Sequence, residues 1–289
     1  MKSKLVYVLT CTGNDSYTAM VVLSLHTFKK HNPAGQAYVV MDESTHLALE
    51  KYGSSILKNA TPVVVDIPPE YNVMQRSRYL KTNLRRIIEG DFLYIDSDTF
   101  VTGCLDDIDD TDADVAMVTD LNRPLSQGHT NDDVERSRKA GFNDLANEPY
   151  FNGGVMFARN TPVAHELFDN WHECWKKSLA NGVPQDQPAL CEANRVLGHP
   201  IKDISGIWNC QYRYLNNDNY GQFLKNVKIL HYYAVVNFGF LLTFLIERTR
   251  KKGNVDAVVG TIVRFPMILV RFHQVSMFIW KLKRRLGKA

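Results

Sequence analysis

Two aspartates, Asp96 and Asp98, have the types and the spacing to hold a divalent cation. They follow an apolar run, Phe92 to Ile95, that is typical of a short buried strand. Residues two apart on a strand point to the same face, so both carboxylates can converge on one hard ion such as Mg²⁺ or Mn²⁺. An isolated pair with this spacing is also common in solvated turns, so the surrounding elements have to decide between the two interpretations.

Four further stretches contain polar residues that could share a site with this pair. The segment 10–17 follows the first predicted strand, where open α/β sheets bind nucleotides. Asn152-Gly153-Gly154 combines an amide with backbone that a ligand can approach closely, and it also suits a tight turn. Residues 185–187 place a carboxylate between two amides, which suits sugar hydroxyls or a helix cap. His231 follows an apolar run and is either a further metal ligand or a structural histidine.

The elements that would position these residues begin as alternating strands and helices. The predicted strands cover residues 4–10, 37–41, 62–67 and 92–95, and the predicted helices cover 17–30, 45–52 and 79–88. This alternation predicts βαβ units, and therefore a mainly parallel α/β sheet with helices on both faces. In such sheets ligands bind at the carboxyl ends of the strands, where the aspartate pair lies.

The second half of the chain continues the pattern less regularly. Further strands are predicted at 113–118, 150–157 and 227–230, and further helices at 164–179 and 185–194. The polar stretch 120–148 shows no clear periodicity and predicts an irregular loop or lid.

The net charge of +3 is divided unevenly along the chain. Residues 248–289 contain eleven Lys or Arg and one acid, which leaves 23 basic and 30 acidic residues in 1–247. An acidic body with a basic tail argues against a chain-wide nucleic-acid surface. The five cysteines are scattered and form no C-x-x-C motif, which indicates a reducing compartment and neither a disulfide framework nor a zinc site.

Residues 237–289 are predicted to form an extension to a domain of residues 1–236. The apolar run 238–246 is too short to span a bilayer. From residue 263 onward, basic residues recur at near-helical spacing opposite apolar ones, up to the run Trp280 to Arg285. This pattern predicts an amphipathic helix on an anionic membrane surface, and therefore a cytoplasmic protein that is peripheral to the membrane. The alternative is a basic helix that docks on a partner or on the domain itself.

The polar stretches occur in an order that resembles one enzyme family. The matching residues are Thr10 with Asn14 to Tyr17, Leu93 to Thr99, Phe151 to Val155, Asp186-Gln187, and His231. They resemble the GT-A glycosyltransferases of family eight, which include glycogenin and bacterial lipopolysaccharide galactosyl- and glucosyltransferases. The resemblance covers residues 4–233 and implies a GT-A fold, a Rossmann-like mixed sheet that is mainly parallel and flanked by helices.

The resemblance also implies a role for each matching residue. Mn²⁺, or Mg²⁺, would be held against the donor diphosphate by Asp96, Asp98 and His231. Contacts to the uracil and ribose are implied for Thr10, Thr12, Asn14 and Tyr17. Contacts near the diphosphate are implied for Ser97 and for Lys81, with Arg78 as a substitute. The implied contacts around the sugar are Asn152, Gly153, Asp186 and Gln187. Asp186 and Gln187 are the implied catalytic residues. Because a neutral amide is a poor nucleophile, we prefer attack by the acceptor on the same face of the sugar, without a covalent intermediate.

The activity implied is retaining transfer of a hexose, glucose or galactose, from a UDP-sugar to a glycan or a lipid-linked saccharide, as in lipopolysaccharide biosynthesis. Two alternatives stay open. A sugar nucleotidyltransferase would release pyrophosphate, and a non-catalytic membrane-associated protein would only bind nucleotide sugars or glycans. The chain departs from the family in one place: a Lys that grips the diphosphate often follows the metal-binding His, but Tyr232 to Asn237 contain no Lys.

Overall fold

A seven-stranded sheet lies at the centre of the protein, whose computed structural model describes residues 1–127, 129–143, 145–212, 219–232 and 240–271. The strands are β1 (Lys4–Val8), β2 (Ala37–Met41), β3 (Thr61–Val64), β4 (Phe92–Ile95), β5 (Thr99–Val101), β6 (Val115–Thr119), β7 (Phe151–Ala158), β8 (Ile201–Asp203), β9 (Cys210–Gln211) and β10 (Ile229–His231). The central sheet has the order β3-β2-β1-β4-β7-β6-β8. In it β7 runs antiparallel to β4 and β6, and the other neighbouring pairs are parallel. The predicted α/β fold with a mainly parallel mixed sheet is confirmed.

Helices cover both faces of this sheet. They are α1 (Ser16–His31), α2 (Glu43–Lys51), α3 (Ile56–Asn59), α4 (Val73–Thr82), α5 (Leu84–Ile87), α6 (Asn131–Lys139), α7 (Pro162–Ala180), α8 (Gln187–Val196), α9 (Phe240–Lys252) and α10 (Ala257–Ile262). Asp15 caps α1 by accepting from the Thr18 N–H, and Asn72 and Gln75 form a capping box at the start of α4. These caps fix where α1 and α4 begin.

Alternate residues of β4 belong to two separate cores. Phe92 and Tyr94 pack on the face that α4, α7 and α8 cover, whereas Leu93 and Ile95 pack on the face that α1 covers. Successive side chains of a strand point to opposite faces, so a strand buried on both sides has to be apolar throughout. The two cores hold β4 rigidly beneath the aspartates that follow it.

A second sheet of three short strands, in the order β5-β10-β9, joins distant parts of the chain. Strand β5 follows Asp98 directly and pairs antiparallel with β10, so that His231 lies opposite Thr99. On its other side β10 pairs parallel with β9. This sheet brings the end of β10 next to the aspartate pair.

The stretch 120–148 differs from its prediction as a wholly irregular loop. It contains α6, which starts with a capping box between Thr130 and Asp133. The prediction was wrong because a local capping signal can set a helix even where the composition is highly polar. Helix α4 also begins earlier than predicted, at Val73, and the strands β5, β8 and β9 are too short to give a periodic signal.

The described part of the C-terminal extension packs against the domain. Leu242, Leu245 and Ile246 of α9 share a buried apolar cluster with residues of α1. Among the described residues no helix is both long enough and apolar enough to cross a membrane. Most of the predicted membrane-surface helix, from residue 272 onward, lies outside the described residues, as do residues 233–239 after the predicted metal ligand. The division at residue 236 stays a prediction.

Candidate active site

Three candidate metal ligands come together at the carboxyl end of β4. Asp96 and Asp98 follow the strand directly, and the pairing of β5 with β10 brings His231 beside them. One ligand atom from each of the three lies within 4.8 Å of the other two, and His231 Nε2 is 3.3 Å from Asp98 Oδ1. Two carboxylates and an imidazole are a donor set that fits Mn²⁺ or Mg²⁺. We call these three residues, together with the adjacent Gly154, the metal side.

The backbone of Gly154 lies directly against the ligands. A Cβ at this position would overlap His231 Cε1 and would lie 2.8 Å from Asn152 Oδ1 and 2.9 Å from Asp96 Oδ2. The Gly154 carbonyl accepts from the Asp96 N–H at 2.8 Å. Glycine therefore lets β7 approach closely enough to hold the Asp96 backbone while leaving space for the His231 ring and the Asp96 carboxylate.

Asn209 orients His231 through the ring nitrogen that does not face Asp98. Asn209 Oδ1 lies 3.0 Å from His231 Nδ1, and both side chains are buried. Because an amide oxygen only accepts hydrogen bonds, Nδ1 carries a proton, and Nε2 is the nitrogen directed at Asp98. Burial lowers the pKa of His231, but the carboxylates of Asp98 and Asp96 outweigh this effect and raise it.

A cluster of opposite charges, which we call the cationic side, consists of Arg78, Lys81 and Asp186. Arg78 Nε lies 2.9 Å from Asp186 Oδ1, and Lys81 Nζ lies 3.3 Å from Asp186 Oδ2. Lys81 Nζ is also 3.4 Å from Asp96 Oδ1, so it links the two sides. Residues three apart on a helix share a face, which is why α4 presents both cations together. At Gly153 a Cβ would lie 3.3 Å from Lys81 Nζ, so this strand also passes close to the cluster.

Asp186 is ionised in this cluster although it is buried. Burial raises the pKa of its carboxyl, but Arg78 and Lys81 outweigh that effect and lower the pKa to about 2. Below Lys81, Tyr94 places its ring 5.0 Å from the ammonium and donates its hydroxyl to Asp96. Burial, and then the nearby Asp96, raise the pKa of Tyr94 well above its usual value, so this hydroxyl stays a donor.

The loop between β1 and α1 lies at the same edge of the sheet. Because β1 and β4 are parallel neighbours, this loop and the aspartate pair leave the sheet side by side. Tyr17, in the first turn of α1 directly after this loop, is 54% exposed, which leaves its ring accessible for stacking on a base. Thr10 Oγ1 donates to the Val73 carbonyl at 3.0 Å and so ties the loop to α4. Of the other predicted donor residues, Thr12 and Asn14 are exposed in this loop, and Ser97 is half-buried between the two aspartates.

Asn152 and Gln187 are joined by Asp120, which the sequence analysis did not single out. Asp120 Oδ1 accepts from Asn152 Nδ2 at 2.8 Å and from Gln187 Nε2 at 3.4 Å. Burial raises the pKa of Asp120, and the hydrogen bonds from the two amides oppose that rise. The sequence held a signal for this residue, since Asp120 follows a predicted strand just as Asp96 does. Asn209, by contrast, precedes a two-residue strand that gives no signal.

Solved structures with this fold are known, although no curated protein sequence matches the chain. The bifunctional glycosyltransferase WbbM is 15% identical, with a TM-score of 0.58 over 88% of this chain and 52% of that one. The galactosyltransferase LgtC, in complex with donor and acceptor sugar analogs, is 17% identical, with a TM-score of 0.57 over 88% and 98%. Mouse xyloside xylosyltransferase 1 is 13% identical, with a TM-score of 0.53 over 80% and 98%. The chain thus spans about half of WbbM but nearly all of the other two.

These likenesses show a shared fold, and the sequence itself shows the family. The sequence model of glycosyl transferase family 8 matches residues 9–236, a range that contains every predicted site residue. Strands β2 to β10, the Asp-Asp-His cluster and the loop after β1 all lie within it. The chain belongs to glycosyl transferase family 8.

Proposed function

We propose that the chain is a retaining, Mn²⁺-dependent hexosyltransferase that moves glucose or galactose from a UDP-sugar to a saccharide acceptor. The observation that carries this proposal is the Asp96-Asp98-His231 cluster at the edge of the sheet where nucleotides bind. In a family 8 chain, such a cluster would hold a metal ion against the donor diphosphate. The similar LgtC structure, named a galactosyltransferase with donor and acceptor sugar analogs, supports the same classes of substrate here.

The residues around the cluster have complementary tasks. Mn²⁺ held by the three ligands would stabilise the charge that develops on the leaving UDP. Lys81 adds a positive charge beside Asp96 and so takes part in holding the diphosphate. Tyr17 at the start of α1 would stack on uracil, and Thr10 and Asn14 in the preceding loop would meet the nucleoside.

The sugar would lie between Asn152, Asp186 and Gln187. Asp186 stays ionised at neutral pH and accepts hydrogen bonds from sugar hydroxyls. Its charge is shared between Arg78 and Lys81, which makes it a poor nucleophile. Gln187 is neutral. Both facts support attack by the acceptor on the face that UDP leaves, without a covalent intermediate.

The acceptor would approach from the side of the stretch 120–150. A small cavity beside Gln187 is lined there by polar, aromatic and apolar side chains, namely Thr119, Asp120, Arg123, Pro124, Leu125 and Tyr150. An aromatic ring with adjacent polar groups suits a saccharide. We propose a glycan or lipid-linked saccharide as the acceptor, as in lipopolysaccharide biosynthesis.

A membrane-surface position would bring the enzyme to a lipid-linked acceptor. Phe265 and Ile268 are exposed in the C-terminal segment, beside the exposed Arg264 and Arg271. Apolar and basic side chains on one surface suit an anionic bilayer. We therefore propose a cytoplasmic enzyme that binds peripherally to the membrane.

The direct test of the function is UDP release from a panel of UDP-sugars with saccharide acceptors, in Mn²⁺ or in chelator. We expect turnover of one UDP-hexose that requires the metal and is lost in Asp98→Ala. Leu47→Ala, an exposed change on α2, is the matched control and should keep the activity. Pyrophosphate as the product would instead identify a nucleotidyltransferase. Metal-dependent UDP binding without turnover of any donor and acceptor pair would favour a binding protein.

Membrane binding is tested with the full chain, because α9 is part of a shared core and truncation would uncover it. We expect sedimentation with phosphatidylserine vesicles, weaker binding at high salt, and a loss of binding in Phe265→Glu. Leu47→Glu introduces the same charge at an exposed apolar position on α2. Equal binding of the two variants, or none by the wild type, would contradict the proposal.

A further inference from the structure

A chain of hydrogen bonds links the metal ligand His231 to Gln187. From His231 Nδ1 it runs to Asn209 Oδ1 at 3.0 Å, and from Asn209 Nδ2 to Asn152 Oδ1 at 2.9 Å. It continues from Asn152 Nδ2 to Asp120 Oδ1 at 2.8 Å, and Gln187 Nε2 reaches the same oxygen at 3.4 Å from the other side. Every donor in the chain therefore points toward one carboxylate oxygen, that of Asp120.

One group that cannot be turned around fixes the direction of this chain. The Gly154 N–H donates to Asn152 Oδ1 at 2.9 Å, and a backbone N–H cannot accept. Because that oxygen is held, the Asn152 nitrogen faces Asp120 Oδ1 and donates to it. Asn152 Oδ1 also accepts from Asn209 Nδ2, and Asn209 Oδ1 accepts from His231 Nδ1. The orientation of each amide follows from the Gly154 end.

The same reasoning applies to Gln187. Its nitrogen has two acceptors, Asp120 Oδ1 and the Phe151 carbonyl at 3.3 Å. An amide whose nitrogen is held in this way keeps its oxygen on the opposite side. If the Asp120 carboxylate were removed, the Phe151 carbonyl would be the one acceptor left for the Gln187 nitrogen among the residues that the structure describes.

We propose that Asp120 is the positioning residue of the transfer site, which holds the Gln187 amide so that its oxygen faces the transferred sugar. This inference rests on the proposed function. An amide oxygen in a fixed place stabilises positive charge that develops at the anomeric carbon, and it costs no reorganisation during the reaction. Asp120 acts through Gln187 and does not itself form a bond to the sugar.

Two substitutions separate this role from that of a nucleophile or a base. Asp120→Asn keeps an oxygen that can accept from both amides, whereas Asp120→Ala removes it. We expect Asp120→Asn to keep most of the wild-type kcat, and Asp120→Ala to lose about 100-fold in kcat because the amide is misplaced. The KM for the donor should change much less than kcat. If Asp120→Asn loses as much as Asp120→Ala, the charge itself is needed and the positioning role is wrong.

A double-mutant cycle with Gln187→Ala tests whether Asp120 acts through that residue. Adding Asp120→Ala to Gln187→Ala should cost little more than Gln187→Ala alone, since the amide to be positioned is already gone. Fully additive losses would overturn the proposal.

A measurement without substrate keeps the inference separate from the proposed function. In ¹⁵N-labelled protein, the side-chain NH₂ signal of Gln187, identified by its loss in Gln187→Ala, should exchange slowly with solvent. We expect the same slow exchange in Asp120→Asn and fast exchange in Asp120→Ala, with both variants folded by thermal melting. Fast exchange in the wild type would overturn the inference even if the enzyme is active. If exchange is slow but the protein turns over no donor, the hydrogen bond to Gln187 is supported and the proposed transferase function is contradicted.

Discussion

The metal side and the cationic side hold their groups by different means. On the metal side, Gly154 approaches His231 and Asp96 so closely that no Cβ would fit. On the cationic side, a Cβ at Gly153 would meet the flexible end of Lys81 and, at 3.8 Å, Asp186 Oδ2, and opposite charges hold the residues together. One side therefore depends on shape and the other on charge balance. A change of volume should harm the first side most, and a change of charge the second.

The largest effect is expected from Gly154→Ala. Its Cβ would overlap the buried His231 ring and crowd Asp96 Oδ2, so the ligands would have to move apart. We expect Mn²⁺ affinity to fall and kcat to fall by about 100-fold or more. Calorimetry with Mn²⁺ and the UDP-release rate measure the two effects.

Gly153→Ala is the matched control, because it adds the same methyl group to the neighbouring residue. There the nearest atom is Lys81 Nζ at 3.3 Å, on a side chain that can shift. We expect a much smaller loss of metal affinity. Equal losses in the two variants would show that the metal side is no more sensitive to volume than the cationic side.

A charge change on the cationic side should lower the free energy of unfolding, and it should move the remaining side chains of the site only a little. Lys81→Met removes a buried ammonium and leaves Asp186 with Arg78 alone. The pKa of Asp186 should rise from about 2, and we expect the free energy of unfolding to fall by about 3 kcal/mol. Urea unfolding measures this loss.

The double variant Lys81→Met with Asp186→Asn tests whether the unpaired charge of Asp186 causes the loss of stability in Lys81→Met. It removes the uncompensated carboxylate together with the ammonium, so most of the lost stability should return. A double variant as unstable as Lys81→Met would show that packing of the lysine stem, and not charge, is what matters.

A smaller effect should appear behind the cationic side, at His172. This buried residue of α7 receives a hydrogen bond from Asn83 Nδ2 at Nδ1, at 3.0 Å, and so holds the end of α4. Burial, followed by the nearby Lys176, lowers the pKa of His172 from 6.5 to about 4. Between pH 6.5 and about pH 4, His172 binds a proton in the unfolded chain but not in the folded one. Stability is therefore lost as the pH falls below 6.5.

We expect the free energy of unfolding to fall by about 2 kcal/mol between pH 6.5 and about pH 5, at about 1.4 kcal/mol per pKa unit. His172→Gln does not titrate in this range and should give a flatter profile. An equally steep profile in the variant would assign the acid sensitivity to other groups.

The sequence allowed the shape-dependent side to be predicted better than the charge-dependent side. Strand β4 was predicted with its observed limits, and the i, i+2 spacing of Asp96 and Asp98 shows in the chain directly. The ion pair between Arg78 and Asp186 was not predicted, since which cation on α4 meets Asp186 depends on how α4 and α8 pack. Helix propensity and periodicity do not contain that information.

The site residues that the sequence analysis missed are brought to the site by contacts between elements that are distant in the chain. Asn209 and Asp120 touch the site only because β9 pairs with β10 and β6 with β7. Strand β9 has two residues, and its pairing depends on chain segments that are far apart in sequence. Local patterns cannot reveal such contacts, although the position of Asp120 after a predicted strand was a usable signal.

The pairing of His231 with Thr99 also has a consequence for biosynthesis. The two aspartates leave the ribosome long before β10 does, and contacts between such distant segments form late in folding. A nascent chain can thus complete β1 to β4 while its metal side is still missing one ligand. If the cluster binds a metal as proposed, the full ligand set would exist only when most of the polypeptide has been made, and shorter nascent chains would be inactive.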